Sequence, residues 1–327
     1  MVSKTADFYR RWAQLEAEGV SPLYYDWALG VAADTAVLEV VEALPPRKRQ
    51  PNLVFAAARA AGAPSAPYSV LWPWLLEHWG EVREITLTRM TQTNEAGRCA
   101  VLLPVLSRLP GPLALIEVGA SAGLCLYPDR YSYSYATPSG TTVVDPPGGP
   151  SPVRTRCAID ADSVPETVPE VAWRAGIDLN PVDVRNETEL NWLETLIWPE
   201  HEERRQRLRA AAAVVAADPP RLLKGDLFDV LPALVEEVPA GTQLVIFHSA
   251  VLAYLERAQR ERFVELVRGI DGVWLSNEGA QVLPRAHDLP EVEKDGHFVL
   301  TVDGTPVART GPHGQAYDAL ASYPEPL

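Results

Sequence analysis

Residues 113–123 read LALIEVGASAG, and the fold is decided by how this stretch is read. The apolar run 113–116 ends in a single acid, Glu117, after which glycines at 119 and 123 bracket a turn and Leu124-Cys125-Leu126 opens a helix. A short buried strand feeding a glycine-rich turn and then a helix is the way α/β proteins bring backbone N–H groups to a ligand. The stretch therefore predicts the first strand of an α/β sheet with a ligand at its carboxyl end.

Outward from this strand the chain has room for one large core, or for a core and an appended domain, in its 327 residues. It is 47% hydrophobic and 22% charged, the composition of a folded protein. A net charge of −14 disfavours nucleic acid and anionic membranes as partners, and the basic loop Arg47-Lys48-Arg49 is the one place to look for an exception. Cys99, Cys125 and Cys157 lie far apart with no CxxC spacing, so neither a disulfide framework nor a zinc site is expected, which suits a reducing cytoplasm. Residues 1–19 carry charges throughout and do not read as a secretory signal, and the apolar run 244–255 is too short to span a bilayer. The expectation is a soluble, cytoplasmic protein.

Upstream, residues 1–110 read as a helical domain. Phe8, Trp12 and Leu15 recur at helical spacing, as do Leu23, Trp27 and Leu29, then Val37, Leu38, Val41 and Leu44. PPRKRQP (45–51) is a proline-bounded loop, most simply a solvated connector, and 52–61 an alanine-rich helix. Trp72, Trp74 and Trp79 form either core or a pocket wall. RMTQTNEAGR (89–98) is less ordinary, because five consecutive polar residues precede the helix 99–109. Thr93 or Asn94 could cap that helix with Glu95 at its positive end. Alternatively the segment is a ligand-contacting turn, with Arg98 able to pair a carboxylate bidentately.

Downstream, 127–174 carries YSYSY, DPPGGPSP and the alternating 153–159, and reads as a hairpin inserted into the α/β core, a lid or substrate wall. A second strand ends in GIDLNP (176–181), placing Asp178 where an acid accepts ribose hydroxyls. It lies about 55 residues beyond Gly123, where about 20 is usual; the insertion accounts for the excess, and Asp145 is the substitute. A turn-forming acid before Asn-Pro is the plainer reading. Residues 187–217 read as one helix whose arginines interleave with glutamates as a solvated face. RLLKGDLFDV (221–230) is a third strand ending at Asp226, a ligand acid or an N-cap. TQLVIF (242–247) is a fourth, with His248 at its tip, either a general base or a backbone-bonded structural histidine. GVWLS (272–276) is a fifth, with Glu278 beyond its end. Residues 297–302 and 306–309, joined at Asp303-Gly304, signal a type I′ hairpin, and His313 follows in a turn.

In this order the pieces resemble class I S-adenosylmethionine (SAM) dependent methyltransferases over about 110–315. The resemblance implies an α/β, Rossmann-like sheet of seven strands, the last hairpin antiparallel, with an N-terminal helical domain (1–110), a SAM-binding domain (111–327) and the inserted hairpin. It implies that Glu117 meets the methionine amino group of SAM through a water, that Gly119 and Gly123 let the backbone approach it, with Ser121 standing where the family has its middle glycine, and that Asp178 holds the ribose and Asp226 the adenine. Arg98 would assist the cofactor. The N-terminal helices and the hairpin would form the pocket for a small-molecule acceptor, with Thr93, Asn94 and His313 as substrate contacts. Of the candidate bases His248 leads, followed by Glu95 and Glu278. A binding protein that has lost catalysis is the alternative; a nicotinamide-dependent oxidoreductase ranks last, since the loop lacks GxGxxG. The whole chain also resembles an uncharacterised bacterial family, a domain of unknown function of the 2332 series, through SPLY (21–24), QPNL (50–53), TQTNEAGR (91–98), EVGASAGL (117–124), GIDLNPVDV (176–184) and VIFHSAVLAYL (245–255). That family supplies no activity.

Overall fold

The computed structural model describes residues 3–92, 94–282 and 297–320. The chain divides into two compact units, residues 1–93 with 186–206, and residues 94–185 with 207–327.

The first unit is helical. Its helices Lys4–Trp12, Pro22–Ala33, Thr35–Glu42, Pro51–Ala60, Tyr68–Glu77 and Trp79–Thr88 are joined by Glu187–Leu196 from later in the chain. The starts of five of these helices are legible. Ser3, Ser21, Asp34 and Asn186 accept backbone N–H bonds of the first turns, and Pro22 and Pro51 sit where a missing N–H costs nothing. The core is aromatic, with Tyr9, Trp12, Tyr24, Trp27 and Phe55 in mutual ring contact. The basic loop works internally: Arg49 donates to Glu42 O and Leu44 O near the end of the third helix, and Lys48 Nζ to Arg89 O. The helix expected over 187–217 is two, Glu187–Leu196 and Glu202–Ala217, because Pro199 interrupts it.

The second unit is built on one mixed sheet. Its strands are β1 (Leu113–Val118), β2 (Ser132–Thr137), β3 (Gly140–Val144), β4 (Arg154–Ile159), β5 (Val171–Asp178), β6 (Arg221–Lys224), β7 (Gln243–Ser249), β8 (Val273–Gly279), β9 (Phe298–Val302), β10 (Thr305–Thr310) and β11 (Ala316–Ala319). Across the sheet they run β3-β2-β4-β11-β10-β9-β8-β7-β1-β5-β6. The sheet of seven strands expected from the resemblance is thus one of eleven among the described residues. β1 is buried along its whole length, as a central parallel strand between β5 and β7 must be. β6, β5, β1, β7 and β8 are mutually parallel; β9 and β10 turn back antiparallel through Asp303 (φ 50°) and Gly304 (φ 79°), the two positive-φ residues a type I′ hairpin needs.

The insertion does not stand apart as a lid. β2 and β3 form the hairpin, β4 runs parallel beside β2, and β4 pairs with β11, so the segment continues the main sheet. YSYSY is a strand whose tyrosines point inward: the hydroxyls of Tyr131, Tyr133 and Tyr135 donate to Leu124 O, Pro128 O and Ala100 O at 2.6, 2.6 and 2.9 Å. On one face of the parallel strands Ile116, Val118, Ile177, Ile246 and Trp274 pack with Leu231 and Leu234 of helix Leu227–Val235 and with Phe263 and Val267 of helix Arg257–Arg268. Alternation puts Glu117 and Ser249 on the other face.

Candidate ligand site at the carboxyl ends of the parallel strands

From β1 the chain proceeds outward through β5 and β6, then returns to β1's other side with β7 and β8. The order reverses between β1 and β7, and ligands of open α/β sheets bind beyond the carboxyl ends of the strands at such a reversal. Residues 118–123 and 249–252 form this crest. Among the described residues, two of the three positive-φ residues other than glycine lie in it, Ser121 (φ 49°) after β1 and Ala250 (φ 59°) after β7. Such backbone clusters at functional sites where surrounding structure holds it.

The surroundings are explicit. Asp178, the last residue of β5, accepts the Ser121 N–H (2.8 Å) and the Asn180 N–H (2.7 Å). Asn94 donates to Ser121 Oγ (2.7 Å) and accepts the Ala122 N–H (2.9 Å). Gly119 and Ala120 both donate to Ile177 O, and Gly123 to Ala120 O. The N–H groups of the glycine loop are therefore spent on the protein, and the loop is a shaped wall rather than a cradle of free donors. Gly119 is glycine for a steric reason as well, since a Cβ there would meet Val251 Cγ2 at 2.4 Å.

Glu117 is different. The residue is 6% exposed, and its Oε2 is buried with no hydrogen-bond partner. Burial, and then Cys125, push its carboxyl well above the usual range; Arg98 pulls the other way and Asp178 adds a further push. A buried carboxyl oxygen without a donor is open to a partner, whether a water, an ion or a ligand group.

The segment 94–98 turns inward. Glu95 (4% exposed) pairs with Arg207 at 2.8 Å and accepts the Gly97 N–H, capping the single turn Ala96–Arg98; the helix Cys99–Leu106 that follows starts without the side-chain cap expected of Thr93 or Asn94. Arg98 donates from Nη1 to Ser249 O and from Nε to Pro312 O, both at 2.9 Å, and lies over the Phe298 ring. Gly97 and the turn at Gly314 touch backbone to backbone, where a Cβ on Gly314 would meet Gly97 O at 1.9 Å. His313 is half-buried in that turn and its N–H donates to Gln315 Oε1. Thr93 lies outside the described residues.

His248 and Glu278 are each the penultimate residue of a strand, at its carboxyl end as expected, but their side chains turn into the core. Both lie within strands, on the face opposite Glu117, at 0% and 1% exposure. His248 Nδ1 meets Glu278 Oε1 at 2.7 Å, and Nε2 accepts the Trp274 indole N–H at 3.1 Å, between the Phe263 and Trp274 rings. A general base needs a free lone pair facing substrate; here both ring nitrogens are engaged, so the arrangement is that of the structural histidine. Glu278 Oε1 also accepts the Val251 and Leu252 N–H groups at 2.8 and 3.0 Å, holding the turn around Ala250. Asp226 caps the helix after β6 through the Phe228 N–H at 2.9 Å. Asp145 follows β3 at the far edge of the sheet and accepts from Ser132, so between the two candidate acids it is Asp178 that stands at the crest. Sequence reasoning missed Asn277, whose amide bonds Ser249 Oγ and Thr310 Oγ1 (2.9 and 2.6 Å), and Arg207; nothing in their local sequence marks contacts made across strands or 112 residues away.

A family described as an uncharacterized protein conserved in bacteria (DUF2332) matches residues 6–68 and 60–318, and the chain belongs to that family. A search of curated proteins found no match. No helix among the described residues is long and apolar enough to cross a membrane.

Proposed function

We propose that the crest between β1 and β7 binds SAM and that the chain is a SAM-dependent methyltransferase acting on a small molecule. The observation that carries this reading is the orphaned, buried Oε2 of Glu117 beside the reversal in strand order. The order of the five parallel strands supports a Rossmann-like reading of the sheet's centre, extended by the β2–β4 segment.

The residues present fit such a cofactor in part. Glu117 offers a carboxylate oxygen to the methionine ammonium. Asp178 and Asp226 each use oxygens on backbone N–H groups, yet a carboxylate keeps further lone pairs for ribose hydroxyls or an adenine amine. The loop's N–H groups offer nothing more, so its part is shape. When bound, SAM supplies a methyl group on a sulfonium sulfur; the chain's part is to hold that methyl in line with the acceptor and keep water away. No base is assigned: both ring nitrogens of His248 are engaged, Glu95 pairs with Arg207, and Glu278 spends Oε1 on His248 and on two backbone N–H groups while its Oε2 is buried within the protein.

That commitment also favours a second reading, a protein that binds the cofactor without catalysis. Calorimetry with SAM and S-adenosylhomocysteine tests the shared part. Micromolar binding that Glu117→Gln abolishes is expected; absence of heat and of thermal stabilisation by either ligand would remove both readings. Incubation with methyl-labelled SAM and a broad acceptor panel separates them, labelled product supporting the enzyme and its absence the binding protein.

A further inference from the structure

We infer that Asn94 is a positioning residue which holds the left-handed turn at Ser121 in its ligand-taking form, an inference resting on the reading of the crest as a SAM site. Ser121 carries a Cβ at φ 49°, a conformation glycine adopts freely and serine does not. Something outside the turn must hold it there. Asp178 holds the Ser121 N–H, and the Asn94 amide grips the turn twice, donating to Ser121 Oγ and accepting the Ala122 N–H. An amide is the shortest side chain that carries a donor and an acceptor side by side.

The same short segment reaches the other side of the reversal. Four residues on, Arg98 holds Ser249 O, immediately before the second left-handed residue, Ala250, whose turn is held in addition by Asn277 O and Glu278. Residues 94 and 98 thus tie together the two turns that flank the Glu117 crest. The polar run which the sequence offers as a ligand-contacting turn acts one layer behind the ligand, presetting the turns so that binding does not have to order them.

The test is a cycle in the full-length chain of Asn94→Ala, Ser121→Gly and the double variant, with two readouts. The first is amide exchange of residues 119–123 without ligand; the second is S-adenosylhomocysteine affinity by calorimetry. Asn94→Ala should speed exchange of the turn and weaken affinity about ten- to a hundredfold, the scale of one strained residue released. In the Ser121→Gly background, where the turn needs no holding, the same change should cost only about threefold or less. Asn94→Asp, which can accept from both the Ser121 hydroxyl and the Ala122 N–H, should keep wild-type exchange even if Asn94→Ala fails to fold. Unchanged exchange in Asn94→Ala, equal affinity losses in both backgrounds, or fast exchange in Asn94→Asp would overturn the inference. If the wild-type chain binds no S-adenosylhomocysteine, the SAM reading falls, and the exchange data alone decide whether Asn94 holds the turn.

Discussion

At the scale of single residues, Glu117 and His248 show how environment assigns the part a side chain plays. Burial raises the Glu117 carboxyl well above its ordinary value of 4.5. The folded chain then keeps a proton that the unfolded chain has lost, so the stability tied to this group is full below 4.5 and falls as pH rises toward the folded value. Glu117→Gln should therefore raise the melting temperature at neutral pH and flatten its decline between acid and neutral pH, measured by scanning calorimetry. A lower melting temperature at neutral pH with an unchanged slope would contradict the burial of an uncompensated carboxyl. A ligand ammonium needs the carboxylate, so affinity should rise with pH, with proton release seen by calorimetry in buffers of different ionisation enthalpy. His248 bears on stability instead. His248→Ala leaves the Trp274 N–H without its acceptor and removes one donor from Glu278 in a fully buried site, and should cost about 2–4 kcal/mol in denaturant unfolding. A loss below about 0.5 kcal/mol, the level of an ordinary surface change, would show that the pair does not hold the core.

Among the elements, strands with an apolar run, an alternating pattern or a turn signal were legible, and β11, which rests on hydrogen bonding to its neighbours, was not. LALIEV and QLVIFHS announce buried strands by composition, and Asp303-Gly304 announces its hairpin by turn chemistry. AYDA (β11) has no such signal, and it exists because β10 and β4 each leave an edge beside it. The insertion consequently read as a separate hairpin. The site residues divide the same way: Glu117, the loop and Asp178 are legible from their place at strand ends, whereas the internal partners of Asn94, Glu95, Arg98 and His248 come from distant segments. The β4–β11 pairing makes a prediction of its own. Ala158 donates its N–H to Gln315 O at 2.9 Å, and proline at 158 removes that donor. Ala158→Pro should raise amide exchange throughout β2–β4 while β5, β1 and β7 stay protected, as expected of an extension attached to a central parallel core. Equal loss of protection in all strands would mean that the extension and the core unfold as one.

At the scale of the whole molecule, the chain is a member of the DUF2332 family with a helical unit and a unit built on a mixed sheet. In the sheet unit the reversal in strand order, two left-handed turns and the buried, unpartnered Oε2 of Glu117 fall at the same crest. That coincidence is the reason for reading the crest as the place where a cofactor binds. The most direct measurement is a crystal structure of the full-length chain with S-adenosylhomocysteine. The account predicts the ligand at the carboxyl ends of β1 and β7, its amino nitrogen about 3 Å from Glu117 Oε2 or bridged to it by one water. A ligand bound elsewhere, or a crest that stays empty at saturating concentration, would contradict it.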